Sequence, residues 1–138
     1  MEKDENGYYT VVLGKFPSPI AEGVFEAFQK RCRSGQVHAE YGSPKRLPQQ
    51  HIDDYINRMK IIDIDKAAVQ ITDVKLSEDG QLVIGTIKPV PPFGDLVEHQ
   101  MSVRPEDTRF SVGVFGYRGY KRNGEHTDIF TFDYIKPE

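Results

Sequence analysis

The sequence predicts an α+β fold: a mostly antiparallel sheet closed into a small β-barrel, with about two or three flanking helices. Three observations carry this. Runs rich in β-branched and aromatic residues recur along the chain, several of them joined by hairpin-type turn signals. Two stretches instead place apolar residues at helical spacing. The length of 138 residues, with 38% hydrophobic and 28% charged residues, is that of one soluble domain with its own core, here residues 1–138.

The elements follow in order. Tyr8 to Lys15 reads as a strand after Gly7. Ser18-Pro19 signals a helix start, with serine as N-cap and proline at the first helical position. Ile20, Val24, Phe25 and Phe28 then form an apolar face, and Gly35 closes the helix. Val37 to Tyr41 is a short strand. Gln49 to Lys60 is a second helix, with Ile52, Tyr55, Ile56 and Met59 on one side. Asp65 to Leu76 is a long strand with Val69, Ile71 and Val74 inward. Ser77 to Gly80 is a hairpin turn, and Leu82 to Val90 pairs back across it. Pro89 to Gly94 is a rigid corner into a short helix, Phe93 to Met101. Val103 to Arg109 is a polar loop. Phe110 to Tyr120 and Thr127 to Ile135 are the closing strands, joined at Asn123-Gly124.

Composition excludes several function classes. A net charge of -3 with mixed signs gives no footprint for nucleic acid. The short basic runs, Lys45-Arg46 and Arg118 to Arg122, read as solvated faces. The single cysteine, Cys32, permits no intrachain disulfide and suits a reducing compartment. No Cys/His spacing suggests a metal, and no cofactor is expected. The polar N-terminus lacks a signal-peptide core, and no run reaches membrane-spanning length.

Ser111, in Phe110-Ser111-Val112-Gly113, is either a nucleophile or a small residue in a sheet. As a nucleophile it needs a base within hydrogen-bond reach and a group to orient that base. His38, His51, His99 and His126 are the available imidazoles. His126 beside its turn reads as solvent-exposed, and His38 can point to either face of its strand. Asp53-Asp54 and Asp63/Asp65 fit capping and turn positions better than chemistry.

The order of these motifs resembles the prohead (head maturation) proteases of tailed bacteriophages, whose fold is related to the herpesvirus assemblins. Asn6 to Thr10 is similar to that family's opening Asn-Gly-x-Tyr-Tyr. Ala39-Glu40-Tyr41-Gly42-Ser43-Pro44 is similar to its Gly-Glu-x-x-His-Pro, and Asp65 to Val74 to its strand bearing a second histidine. Asp79 to Leu96 resembles the Asp-Gly…Thr-Pro-x-Gly region. Phe110 to Gly113 resembles the Ser-x-Gly nucleophile strand, and Phe132 to Pro137 the closing Phe-Asp-Ile-Val…Pro.

The resemblance places the nucleophile on Ser111 and the two histidines on Ser43 and Val69, neither of which is a histidine here. Without a base, turnover in serine hydrolases falls on the order of a million-fold. The chain also stops at Glu138, whereas the resemblance implies extra sequence in active members. The expectation is an inactive member, reused as a virion or head-assembly protein. It would bind capsid or scaffold subunits as a decoration, cement or minor head protein, with homo-oligomerisation left open and without nucleic-acid or membrane partners. Two competing expectations are an active serine endopeptidase that recruits His38 or Lys45 as base, and a regulator of the active protease.

Overall fold

The computed structural model of the chain describes residues 3–16, 20–44, 48–103, 115–122 and 125–136. Strand β1 (Tyr9–Lys15) alternates as expected: Tyr9, Val11 and Leu13 are buried, while Thr10 and Val12 face out. Helix α1 (Glu22–Arg33) buries Phe25, Phe28 and Cys32, one helical stripe. Its N-cap is Ala21, which makes no side-chain cap, so the helix starts later than predicted; Ser18 and Pro19, the predicted start, lie outside the described residues. A cap contributes about 1 kcal/mol; burying two phenylalanines outweighs it. Two further bonds dock α1. Gln29 Nε2 donates to the Val74 carbonyl at 2.8 Å, and Arg31 donates to the Ile129 carbonyl.

Strand β2 (His38–Glu40), helix α2 (Ile52–Met59) and a 3₁₀ turn (Ile64–Lys66) lead into the long strand β3 (Ala67–Leu76). Val69 and Ile71 are fully buried and Val74 nearly so. The turn to β4 (Leu82–Pro89) is built by side chains. Asp79 accepts from Ser77 Oγ at 2.5 Å and from the Gln81 amide at 3.0 Å, and Gly80 takes φ 73. Helix α3 (Gly94–Val103) follows the proline corner and buries Val97 and Met101. The chain closes on the hairpin of β5 (Phe115–Arg122) and β6 (Glu125–Tyr134).

The expected α+β class with antiparallel pairing is present. Four strands form one sheet in the order β1-β4-β3-β2, and β5-β6 forms a second. A parallel bridge, Tyr41 to Tyr134, joins the end of β2 to β6. No closed barrel is formed among the described residues. The core lies between the sheets and α1, around Leu13, Phe28, Ile71, Ile87 and Phe132. Phe132 packs edge-on or tilted against Phe16, Phe28 and Tyr117 at centroid distances of 6.2, 5.7 and 5.7 Å.

Helix α2 has the apolar stripe the sequence predicts but buries none of its residues, so it adds nothing to this core. Phe28→Ala is therefore expected to cost about 3–5 kcal/mol by urea denaturation. Ile52→Ala, on α2, should cost at most about 0.5 kcal/mol.

Candidate functional site

Strand β2 is an edge strand, so half of its backbone groups face away from β3. Side chains of β6 meet them. Thr131 Oγ1 donates to the His38 carbonyl at 2.8 Å, and Asp133 Oδ1 accepts from the Glu40 amide at 3.0 Å. The Gly42 amide then donates to the Tyr134 carbonyl at 2.7 Å. One face of β6, Phe132 and Tyr134, enters the core. The other, Thr131 and Asp133, seals the β2 edge, which is why all of these residues are buried.

A buried carboxylate needs a counter-charge. Arg118 on β5 supplies it and is itself 0% exposed. Its Nε donates to Asp133 Oδ2 and one Nη to Oδ1 at 2.9 Å, a bidentate pair. The same Nη donates to Glu40 Oε2 at 2.6 Å. The other Nη donates to the carbonyls of Met59 at 3.2 Å and Ile61 at 2.9 Å. Arg58 of α2 completes the set, donating to both Glu40 oxygens at 3.0 and 2.6 Å. Two carboxylates thus face two guanidinium groups.

Burial pushes the Glu40 carboxyl up, but Arg58, Arg118 and the Asp63 amide outweigh it and hold Glu40 below the ordinary range. For Asp133 burial dominates and raises the carboxyl, with Arg118 and the Glu40 amide opposing.

Ser43 sits at the rim of this cluster. Its hydroxyl donates to Asp133 Oδ2 at 3.1 Å, so the carboxylate accepts from four donors. Gly116 makes room: a Cβ there would lie 2.6 Å from Ser43 Oγ. Ser43 opens onto a cleft of about 710 Å³, lined also by Glu40, Tyr41, Arg58, Phe93 and Lys136 among others. One wall is an aromatic stack. Tyr41 lies parallel to Phe93 at 4.9 Å and to Tyr134 at 5.5 Å, and Lys136 Nζ stands 5.4 Å from the Tyr41 centroid. Gln100 of α3 fixes both phenols, donating to Tyr41 at 2.7 Å and accepting from Tyr134 at 2.9 Å. Burial, then the Tyr41 hydroxyl, pushes the Tyr134 phenol up to about 12.

The sequence-derived site residues are distributed as follows. Ser111 and Lys45 lie outside the described residues, as does the side chain of His126. Ser43 is held by Asp133. Val69 is fully buried on β3, opposite Ala39 and Pro89, and does not line the cleft. His38 is half-buried on β2 beside Gln70, and burial holds its imidazole below the ordinary value. Its ring does not line the cleft either. His51 caps α2 by accepting from the Asp53 amide at 3.2 Å, and His99 is exposed. Asp53, Asp54 and Asp63 take the capping and first-turn positions expected of them. Among the described residues no group of histidine, cysteine or acidic side chains is placed to hold a metal.

Arg118 requires a correction. Read as part of a solvated basic run, it is instead the most deeply committed charge of the cluster. The signal was weak: β5 also carries Lys121 and Arg122, and only the glycines and aromatics on either side of Arg118 set it apart from them.

The chain belongs to the Peptidase S80 family, whose model matches residues 1–138. This agrees with the head maturation protease resemblance of its motifs. A relative is the capsid maturation protease of Pseudomonas phage phiKZ, 26% identical over 157 aligned residues that cover 96% of this chain. The chain spans 58% of the length of that relative. No solved structure matches. No helix among the described residues is long and apolar enough to cross a membrane.

Removing one partner of a buried pair leaves an uncompensated charge, so Glu40→Gln should cost about 3–5 kcal/mol by urea denaturation. Ser43→Ala, at an exposed rim position, should cost no more than about 1 kcal/mol. A carboxyl held low in the native state stabilises fully above its unfolded value. That contribution is lost as pH falls through the folded one. The stability gap between wild type and Glu40→Gln should therefore hold above about pH 4.3 and narrow as pH falls further.

Proposed function

We propose that this chain is a non-catalytic phage head protein built on the prohead protease fold. It would bind capsid subunits as a decoration, cement or minor head protein and act in the virion. The observation that carries the reading is the state of the two positions where the resemblance puts histidines. Ser43 is itself a hydrogen-bond donor to Asp133, and Val69 is an aliphatic side chain with 0% exposure. Neither can accept the proton of Ser111. Loss of a serine hydrolase base costs on the order of a million-fold, which leaves binding as the use of the fold. Family membership and the name of the phiKZ relative support a role at the phage head.

A second reading, an active endopeptidase with a rearranged base, is favoured by one observation. His38 is half-buried on β2, the strand that leads into Ser43, and burial lowers its imidazole from the ordinary value.

Purified protein incubated with the capsid and scaffold proteins of its own phage separates the two. The expected result is co-sedimentation with capsids and no new fragments by mass spectrometry, for wild type and Ser111→Ala alike. Fragments that appear with wild type and vanish in Ser111→Ala would overturn the proposal. Capture of a full-length protease in place of capsid would reassign the chain as a regulator of that enzyme.

A further inference from the structure

Helix α2 is attached in a way no other helix of the described chain is. Helices α1 and α3 are held by buried apolar residues, whereas no residue of the stretch 52–66 is buried. Ile52, Ile61 and Ile64 are 43%, 61% and 59% exposed. Its named ties to the body of the molecule between Ile52 and Asp63 are polar and converge on two residues. Glu40 accepts from Arg58 twice and from the Asp63 amide at 3.1 Å, and Arg118 donates to the Met59 and Ile61 carbonyls.

These ties divide into an inner and an outer tier. Arg118, Asp133 and Glu40 are 0–1% exposed and bond one another directly. Arg58 is 28% exposed at its side chain and bonds Glu40 from outside. If α2 lifts away, Glu40 keeps Arg118, and Arg118 keeps both oxygens of Asp133. The inner tier thus survives the loss of the outer one. Arg58 also lines the cleft beside Ser43, so lifting α2 removes a wall of that cleft. An eight-residue helix has little stability of its own once undocked.

We propose that α2 is a movable wall of the cleft, latched shut by Arg58 on Glu40, and that it opens locally while the Arg118–Asp133–Glu40 core stays closed. Opening admits a larger occupant beside Ser43 than the closed cleft accepts. The inference is independent of whether Ser111 is catalytic.

Amide hydrogen exchange of the full chain, read peptide by peptide without denaturant, tests it. Peptides covering 52–61 should exchange at least about tenfold faster than those of β3 and β4. Arg58→Met should accelerate 52–61 by a further factor of about ten and leave β3 and β4 unchanged, with Arg58→Lys between the two. Equal protection of α2 and β3 in the wild type would overturn the proposal without recourse to any variant. So would an Arg58→Met protein in which exchange rises throughout, or one in which 52–61 does not respond.

Discussion

The fold turns on a guanidinium taken wholly out of water. Arg118 holds Asp133 with two nitrogens and Glu40 with one, and the three groups lie on three different strands, β5, β6 and β2. Desolvating such a set costs several kcal/mol per ion, so it is poor value as a source of stability alone. What it supplies is uniqueness. With Asp133 paired elsewhere, the Glu40 amide would be a buried orphan. A shift of β6 by one residue would put Asp133 into the aromatic core and Phe132 against the edge of β2. The penalty for each alternative is larger than the gain of any one bond in the native set.

This also explains how the two sheets meet. Where a continuous ladder would join β2 to β6 by backbone alone, side chains of β6 substitute for part of it. The hydroxyl of Thr131 and the carboxylate of Asp133 satisfy the outward groups of His38 and Glu40, and backbone pairing resumes at Tyr41 and Gly42. An edge strand sealed in this way is protected from pairing with another chain. The aromatic stack of Phe93, Tyr41 and Tyr134 continues the same seam, pinned by Gln100, so the cleft is a direct product of how the edge is closed.

Much of this was legible in the sequence. Period-two alternation in YYTVVLGK and the Asp79-Gly80 turn located β1, β3 and β4, because burial on one face leaves a local imprint. The colinear motifs pointed to the family. What was not legible is non-local. Arg118 and Asp133 sit fifteen residues apart and Glu40 seventy-eight from Arg118, so no window of sequence reveals that their charges cancel. Alone, Arg118 resembles any surface cation. The late start of α1 is a similar case, since packing of Phe25 and Phe28 sets the helix where capping preference does not. The stripe on α2 is a lesson in degree: Tyr55, Ile56 and Met59 are half-buried and Ile52 is exposed, so amphipathic spacing reports which face turns inward and not how deeply it is buried.

The hydroxyl of Ser43 fits this arrangement. A carboxylate beside an imidazole normally orients it, and loss of the imidazole would leave that carboxylate short of a partner. Asp133 is not left short, because Arg118 and the Glu40 amide fill three of its four acceptor contacts and Ser43 contributes the fourth. The requirement for Asp133 is therefore structural whatever residue stands at 43. The residue at 43 can change while the seam between the sheets, and the cleft beside it, stay in place. On the proposed reading this is how a protease scaffold survives as a binding protein: the charges that close it are not the groups that would perform the chemistry.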